Sequence, residues 1–298
     1  MKKNGRFYFL DCLYLLIMIL PILGGIVLRV LTHPAESGVS IRGAQVFCTI
    51  PMPVQDLIIS ESQINSWLVI LAVFGLCLYL THGLSARFPT KRQVVAEWIV
   101  EKTEELVYEN MGPFFKGFSP FICAILALSG FSSLLTLFGL YPPTSDLNVV
   151  AGWAILVFIL ITYYKMKCGP WQYIKSFGDP VPLLSPLNVI SEVATPVSMA
   201  FRHYGNVLSG TVISTLVAAG LSGLSAILLG NLPGILGEIP FLQIGIPAVL
   251  SVYFDIFSGC LQAYIFAMLT MLYISSGFPA DLYEQRKLRK ATIKSVSK

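Results

Sequence analysis

Pro196-Val-Ser-Met-Ala-Phe-Arg202-His-Tyr-Gly205-Asn206 lies inside an apolar run that extends from Ile190 to Leu229. Arg202 is the only Lys or Arg in the apolar segments of this chain that is not within a few residues of a segment end. A charge at that depth costs about 2.5–3.5 kcal/mol on the insertion scale, so it is kept where it has a partner or a task. The stretch reads as a membrane helix built around a buried cation.

Composition points the same way. Of 298 residues, 55% are hydrophobic and only 12% charged, with a mean hydropathy of +0.73, too apolar and too poor in charge for a soluble domain of this size. The net charge of +4 could suit a nucleic-acid binder, but the basic residues sit in loops and tails on alternate sides of apolar runs. No nucleic-acid partner is expected. The partner implied by composition is the lipid bilayer.

Runs able to cross about 30 Å of hydrocarbon extend from Leu10 to Val30, Trp67 to Leu80, Phe121 to Leu140, Val149 to Tyr164, Ile190 to Leu229 and Ile244 to Ile274. Two are marginal and need flanking polar residues to complete the span. Basic residues crowd Met1 to Arg6, Gly83 to Lys116, Lys165 to Pro182 and the tail after Ser276, whereas the alternate segments share only Arg42. This positive-inside pattern predicts an all-α polytopic membrane protein with both termini cytoplasmic. It comprises an N-terminal anchor helix with its external segment (1–60) and a domain of five core spans (61–298), the last two long and tilted. The first run also resembles a secretory signal, but it is long and no small-x-small site follows cleanly at Arg29-Val-Leu-Thr-His-Pro34, which favours an uncleaved anchor. Between the second and third spans, Thr90 to Asn110 is amphipathic: Val94, Val95, Trp98, Ile99, Leu106 and Val107 oppose five glutamates. It is expected to lie on the cytoplasmic membrane surface or against a partner.

Six cysteines show no paired spacing, and His33, His82 and His203 are too scattered to form a ligand set. There is no phosphate-cradling loop or nucleophile motif. The expectation is therefore no cofactor, no metal and no catalysis by this chain alone.

The chemistry lies on the last two helices. Steps of three and four from Arg202 collect Glu192, Thr195, Ser198, Asn206 and Ser209 into one polar stripe, and the same steps collect Ser251, Asp255, Ser258 and Gln262 on the final helix. Glycines at 205, 210, 220, 223 and 259 allow close helix approach. A helix from Leu187 to Leu229 is about 60 Å long, twice the bilayer core, so it must tilt strongly or break, with Pro196 a candidate bend. An Arg–Asp ion pair that merely fixes helix register is one account of the two charges. Two stripes with hydroxyls and amides flanking each charge favour a hydrated ion pathway.

These elements, with Leu261-Gln262-Ala-Tyr-Ile-Phe266 and Pro143-Thr-Ser-Asp146-Leu-Asn148, closely resemble subunit a of F-type ATP synthases in consistent order over about residues 60–276. The resemblance implies that Arg202 is the essential stator arginine, that Asn206 and Gln262 are its polar neighbours, and that Glu192 matches an acid some members carry before the arginine. Two departures stand out. Thr211 occupies the position nine residues after the arginine where many members carry Glu, and Asp255 occupies the position seven before the glutamine where others carry His. The acid has moved from one helix to the other.

The resemblance further implies the Fo sector of a bacterial cell membrane, with a rotating c-ring and peripheral-stalk b subunits as partners and the F1 sector engaged indirectly. The transported ion is H+ or Na+. From the topology, Glu192 is expected in the cytoplasmic half-channel, Asp255 in the external one and Asp146 near the external mouth, and Ser209, on the Arg202 stripe, is expected among the ion-translocation residues. The competing function is a self-contained secondary transporter that uses Arg202 to hold an anionic substrate. That reading calls for inverted repeats, which are not evident. A purely structural scaffold subunit is the third possibility.

Overall fold

The computed structural model describes residues 5–32, 43–53, 56–85, 90–167, 171, 173, 175, 177, 183, 185–229, 249–250 and 252–278. Lys2, Lys3, Arg42, Cys168, Ser251 and the basic tail beyond residue 278 lie outside the described residues. The elements in order are α1 (Gly5–Thr32), β1 (Val46–Ile50), β2 (Leu57–Ser60), α2 (Glu61–Thr81), α3 (Lys91–Met111), α4 (Ser119–Leu134), α5 (Leu147–Met166), α6 (Ser185–Leu229), a π-helical segment (Val252–Ser258) and α7 (Gly259–Ser276). Six helical segments among the described residues are long and apolar enough to cross a membrane. The chain is an all-α polytopic membrane protein.

Three departures from the sequence-based expectation have physical causes. The second span begins at Glu61 rather than Trp67, and it borrows Glu61, Ser62 and Asn65, all of them buried. The segment between α1 and α2 contains an antiparallel hairpin pairing Val46 with Ser60 and Ile50 with Leu57, rich in β-branched residues. The last span changes pitch, because Val252–Ser258 is π-helical and runs into α7 without a break. An α-helical step of three or four therefore does not hold across Asp255.

α6 is continuous through Pro196, which cannot donate to the carbonyl of Glu192 one turn earlier. Its 45 residues span about 68 Å, more than twice the hydrocarbon thickness, so the helix lies strongly tilted in a bilayer.

The core gathers around α7. Phe266, Ala267, Met271 and Ile274 are buried against Val107 and Met111 of α3, Ile122 of α4, Val157 and Ile161 of α5 and Met199 of α6. Lipid offers helices no hydrophobic reason to associate, so close fit and internal hydrogen bonds hold such a bundle. At Gly259 a Cβ would stand 2.5 Å from the Ser133 Cβ, which fixes α7 directly on α4. Gly210 meets Phe254, but Gly205, Gly220 and Gly223 face open space and bring no helices together.

α3 is capped by the Thr90 hydroxyl, which accepts from the Gln93 amide, and ends at Gly112 with φ +79°. Its apolar stripe is divided: Val107 joins the core, while Val94, Val95 and Trp98 stay exposed.

Candidate ion-pathway site

α6 presents two different faces in the central turns. Pro196, Met199, Ala200, His203 and Gly210 are buried against the bundle, whereas Ser198, Phe201, Arg202, Asn206 and Ser209 are exposed. Arg202 has no hydrogen-bonded or ionic partner among the described residues. The register-setting Arg–Asp ion pair is therefore absent, and the guanidinium points away from its own bundle. Its neighbours on that face include Val197 and Phe201, both roughly half exposed. A cation on such a face, at membrane depth, calls for a complementary surface outside this chain.

The two stripes meet one turn past the arginine. The Asn206 side-chain amide donates to Gln262 Oε1 at 2.6 Å, and Gln262 is buried on α7. Beyond that bond lies a small cavity of about 10 Å³, room for about one water. Ser133, Asn206, Gly210, Asp255, Ser258 and Gly259 help to line it. The π-helical turn brings Asp255 to this cavity, which Gln262 does not line. Thr211 is exposed and returns its hydroxyl to the Val207 carbonyl at 3.1 Å. Ser209 likewise donates to its own helix, to the Asn206 carbonyl at 3.1 Å.

Glu192 lies ten residues before Arg202, about 15 Å along the helix on the opposite side from the Asp255 cavity. Both of its oxygens accept from Lys165 Nζ of α5 at 2.7 Å, and the Tyr173 hydroxyl stands 3.5 Å away. Burial, and then the negative charge of Glu192, raise the Tyr173 hydroxyl above the usual tyrosine range. The lysine stem crosses Gly277 just past α7, where a Cβ would lie 2.6 Å from it. The ends of three helices thus share one ion pair that the spacing of the sequence does not reveal.

Asp146 is an N-cap. One carboxylate oxygen accepts from the Asn148 amide at 3.0 Å and the other accepts a short hydrogen bond from the Ser62 hydroxyl. Asn65 donates to the Tyr141 carbonyl at 2.8 Å, and Tyr141 donates its hydroxyl to the Ser145 carbonyl at 3.1 Å. The Tyr141 hydroxyl is raised by burial, with Asp146 among the charges that add to the shift. This polar cluster at the starts of α2 and α5 includes Ser62 and Asn65, which the sequence reading missed. The signal lay in Glu61-Ser-Gln-Ile-Asn65, just ahead of a span too short on apolar residues alone.

His203 was also missed. It is fully buried beside Arg202, with Nε2 3.4 Å from the Ser129 hydroxyl and its ring edge-on to Trp153 and Phe266. Its Nδ1 has no hydrogen-bond partner among the described residues. The packed ring anchors the inner face of α6 at the level where Arg202 leaves the outer one.

Residues 63–275 match the family described as ATP synthase A chain. A relative named ATP synthase subunit a 1 from Crocosphaera subtropica is 32% identical over 222 residues, covering 74% of this chain and 87% of the relative. ATP synthase subunit a of Bacillus pumilus is 32% identical over 218 residues (68% and 85%), and that of Legionella pneumophila strain Paris is 26% identical over 224 residues (74% and 88%). α1 lies outside the matched family region.

Proposed function

This chain belongs to the ATP synthase A chain family, and on that premise we propose that it translocates ions as the membrane stator subunit of an F-type ATP synthase. The observation that carries the residue-level reading is the outward Arg202, without a partner among the described residues and flanked along α6 by Glu192 on one side and by the Asp255 cavity on the other. Residues 61–298 hold the ion pathway, and residues 1–60 form an added anchor helix with its external segment.

The surface facing Arg202 is a rotating c-ring whose subunits each carry a mid-membrane carboxylate. An ionised carboxylate cannot face lipid cheaply, so each site must be loaded before it leaves the stator. Arg202 stabilises the unloaded carboxylate as it passes. A guanidinium stays charged at any working pH, so it also blocks direct flow between the two sides. Asp255 serves the external half-channel and Glu192, paired with Lys165, the cytoplasmic one. Asn206 and Gln262 hold the two helices in register at the boundary, and Asp146 sets the start of α5 near the external mouth. The peripheral-stalk b subunits hold the chain against rotation, F1 is engaged indirectly, and both termini face the cytoplasm of a bacterial cell.

The transporter alternative lacks support, since Arg202 faces outward rather than into an enclosed substrate pocket. The test is ATP-driven pumping in membrane vesicles with the complex assembled. Arg202→Ala abolishes pumping and Arg202→Lys fails as well; near-normal pumping in Arg202→Ala overturns the reading.

A further inference from the structure

The N-terminal helix, outside the matched family region, is built into the bundle. At Gly75 of α2 a Cβ would stand 2.8 Å from the backbone nitrogen of Met18, so α1 and α2 touch backbone to backbone. Near the start of α1, Asp11 accepts from Arg92 at 2.8 Å and lies 2.8 Å from His82 Nδ1, tying the helix to the α2–α3 junction. α1 is thus held rigidly enough to form one wall of a permanent groove.

That groove runs between α1, α2 and α4 and has a volume of about 410 Å³. Ile22 and Ile26 of α1, Ala72 and Leu76 of α2, and Phe131 and Phe138 around the end of α4 help to line it, and every lining side chain is apolar. The lining begins at Met18. Eleven residues later, at the C-terminal end of α1, comes Arg29, whose guanidinium lies against Gly139 next to Phe138: a Cβ on Gly139 would stand 2.8 Å from one of its nitrogens. Arg29 is exposed and has no hydrogen-bonded or ionic partner among the described residues. From Met18 to Arg29 the helix rises about 16 Å, half of the roughly 30 Å hydrocarbon core.

We propose that this groove is a binding site for one phospholipid of the leaflet on the Arg29 side, with an acyl chain between α1, α2 and α4 and the phosphate on Arg29. The length matches one leaflet, the wall is wholly apolar, and Arg29, without a partner among the described residues, stands at headgroup level. A partner helix would also bury the apolar wall, but it would leave the guanidinium without an anion. The site is separate from the ion pathway, which lies on α6 and α7.

The test uses the complete purified ATP synthase in liposomes containing phosphatidylglycerol with a photoactivatable group midway along one acyl chain. Adducts are mapped by mass spectrometry. Labelling at Ile22, Ile26 and Phe138 is expected to exceed severalfold that at Leu16 and Leu20, which are exposed on the same helix. Arg29→Gln lowers groove labelling about fivefold, as loss of one basic residue at a membrane surface implies, while Arg29→Lys keeps it. In the unaltered complex, a photoactivatable diacylglycerol that lacks the phosphate labels the groove no more than it labels Leu16 and Leu20. Equal labelling by the two probes, equal labelling of groove and outer face, an Arg29→Gln complex that labels normally, or groove residues cross-linked to another polypeptide each overturn the proposal.

Discussion

Asn206 on α6 donates to Gln262 on α7 across 2.6 Å, the point at which the two polar stripes become one site. Interhelical side-chain hydrogen bonds in membranes contribute about 0.6 kcal/mol on average and about 1.7 kcal/mol at most. Asn206→Leu also leaves the buried Gln262 amide unsatisfied. Each of Asn206→Leu and Gln262→Leu is expected to slow ATP-driven pumping severalfold, and the double variant to be no slower than the worse single one. Vesicle pumping rates of the three variants against wild type check this, and additive losses would show that the two residues act separately.

Among the described residues, Asp255 is the only carboxylate that lines the cavity beyond Arg202. Asp255→Asn preserves shape but cannot relay a proton, so ion flow falls sharply while the complex still assembles. Thr211 stands one turn past Val207, which also lines the cavity. Adding Thr211→Glu to Asp255→Asn is expected to restore part of the flow. Quenching of a pH-sensitive dye in vesicles compares the three forms, and full activity in Asp255→Asn removes the relay role.

The Lys165–Glu192 pair predicts an asymmetry between single and double variants. Breaking a fully buried pair costs about 3–5 kcal/mol. With side chains 25% and 17% exposed, solvent screens this one, and a loss of about 1–2 kcal/mol is expected for Lys165→Gln or Glu192→Gln. The double variant recovers most of that loss because no charge remains unpaired. Thermal disassembly of the purified complex measures stability. Pumping measures the separate role of Glu192: the double variant regains stability without regaining rate if the carboxylate carries ions.

The proposed orientation, with both termini cytoplasmic, assigns the sides. In a background where Cys48 is the only cysteine, an impermeant thiol reagent added to intact cells is expected to label it, since Cys48 is exposed on β1. A cysteine at Asn148 is expected to react from outside as well; it is exposed, unlike Ser145 nearby. Lys175→Cys is expected to stay unlabelled until the cells are opened. Reversed accessibility exchanges the roles of Glu192 and Asp255.

The sequence by itself determined that the chain is a polytopic membrane protein with several long apolar spans, that Arg202 is its anomalous charge, and which family its motifs resemble. These properties depend on local composition and on the cost of placing charge in hydrocarbon, and both are additive along a chain. Tertiary structure decided where those residues point. The α-helical step that placed Asp255 in line with Gln262 fails at Val252–Ser258, because that segment is π-helical and no composition signal marks the change of pitch. The Lys165–Glu192 pair, the Ser62–Asp146 bond and the seat of His203 between Trp153 and Phe266 join residues distant in sequence, and no periodicity within one helix encodes a contact between two. The outward face of Arg202 is of the same kind. The sequence showed a charge too costly to leave in lipid, but only the packing of Pro196, Met199, Ala200 and His203 against the bundle directs the guanidinium away from it, toward the surface proposed for the c-ring.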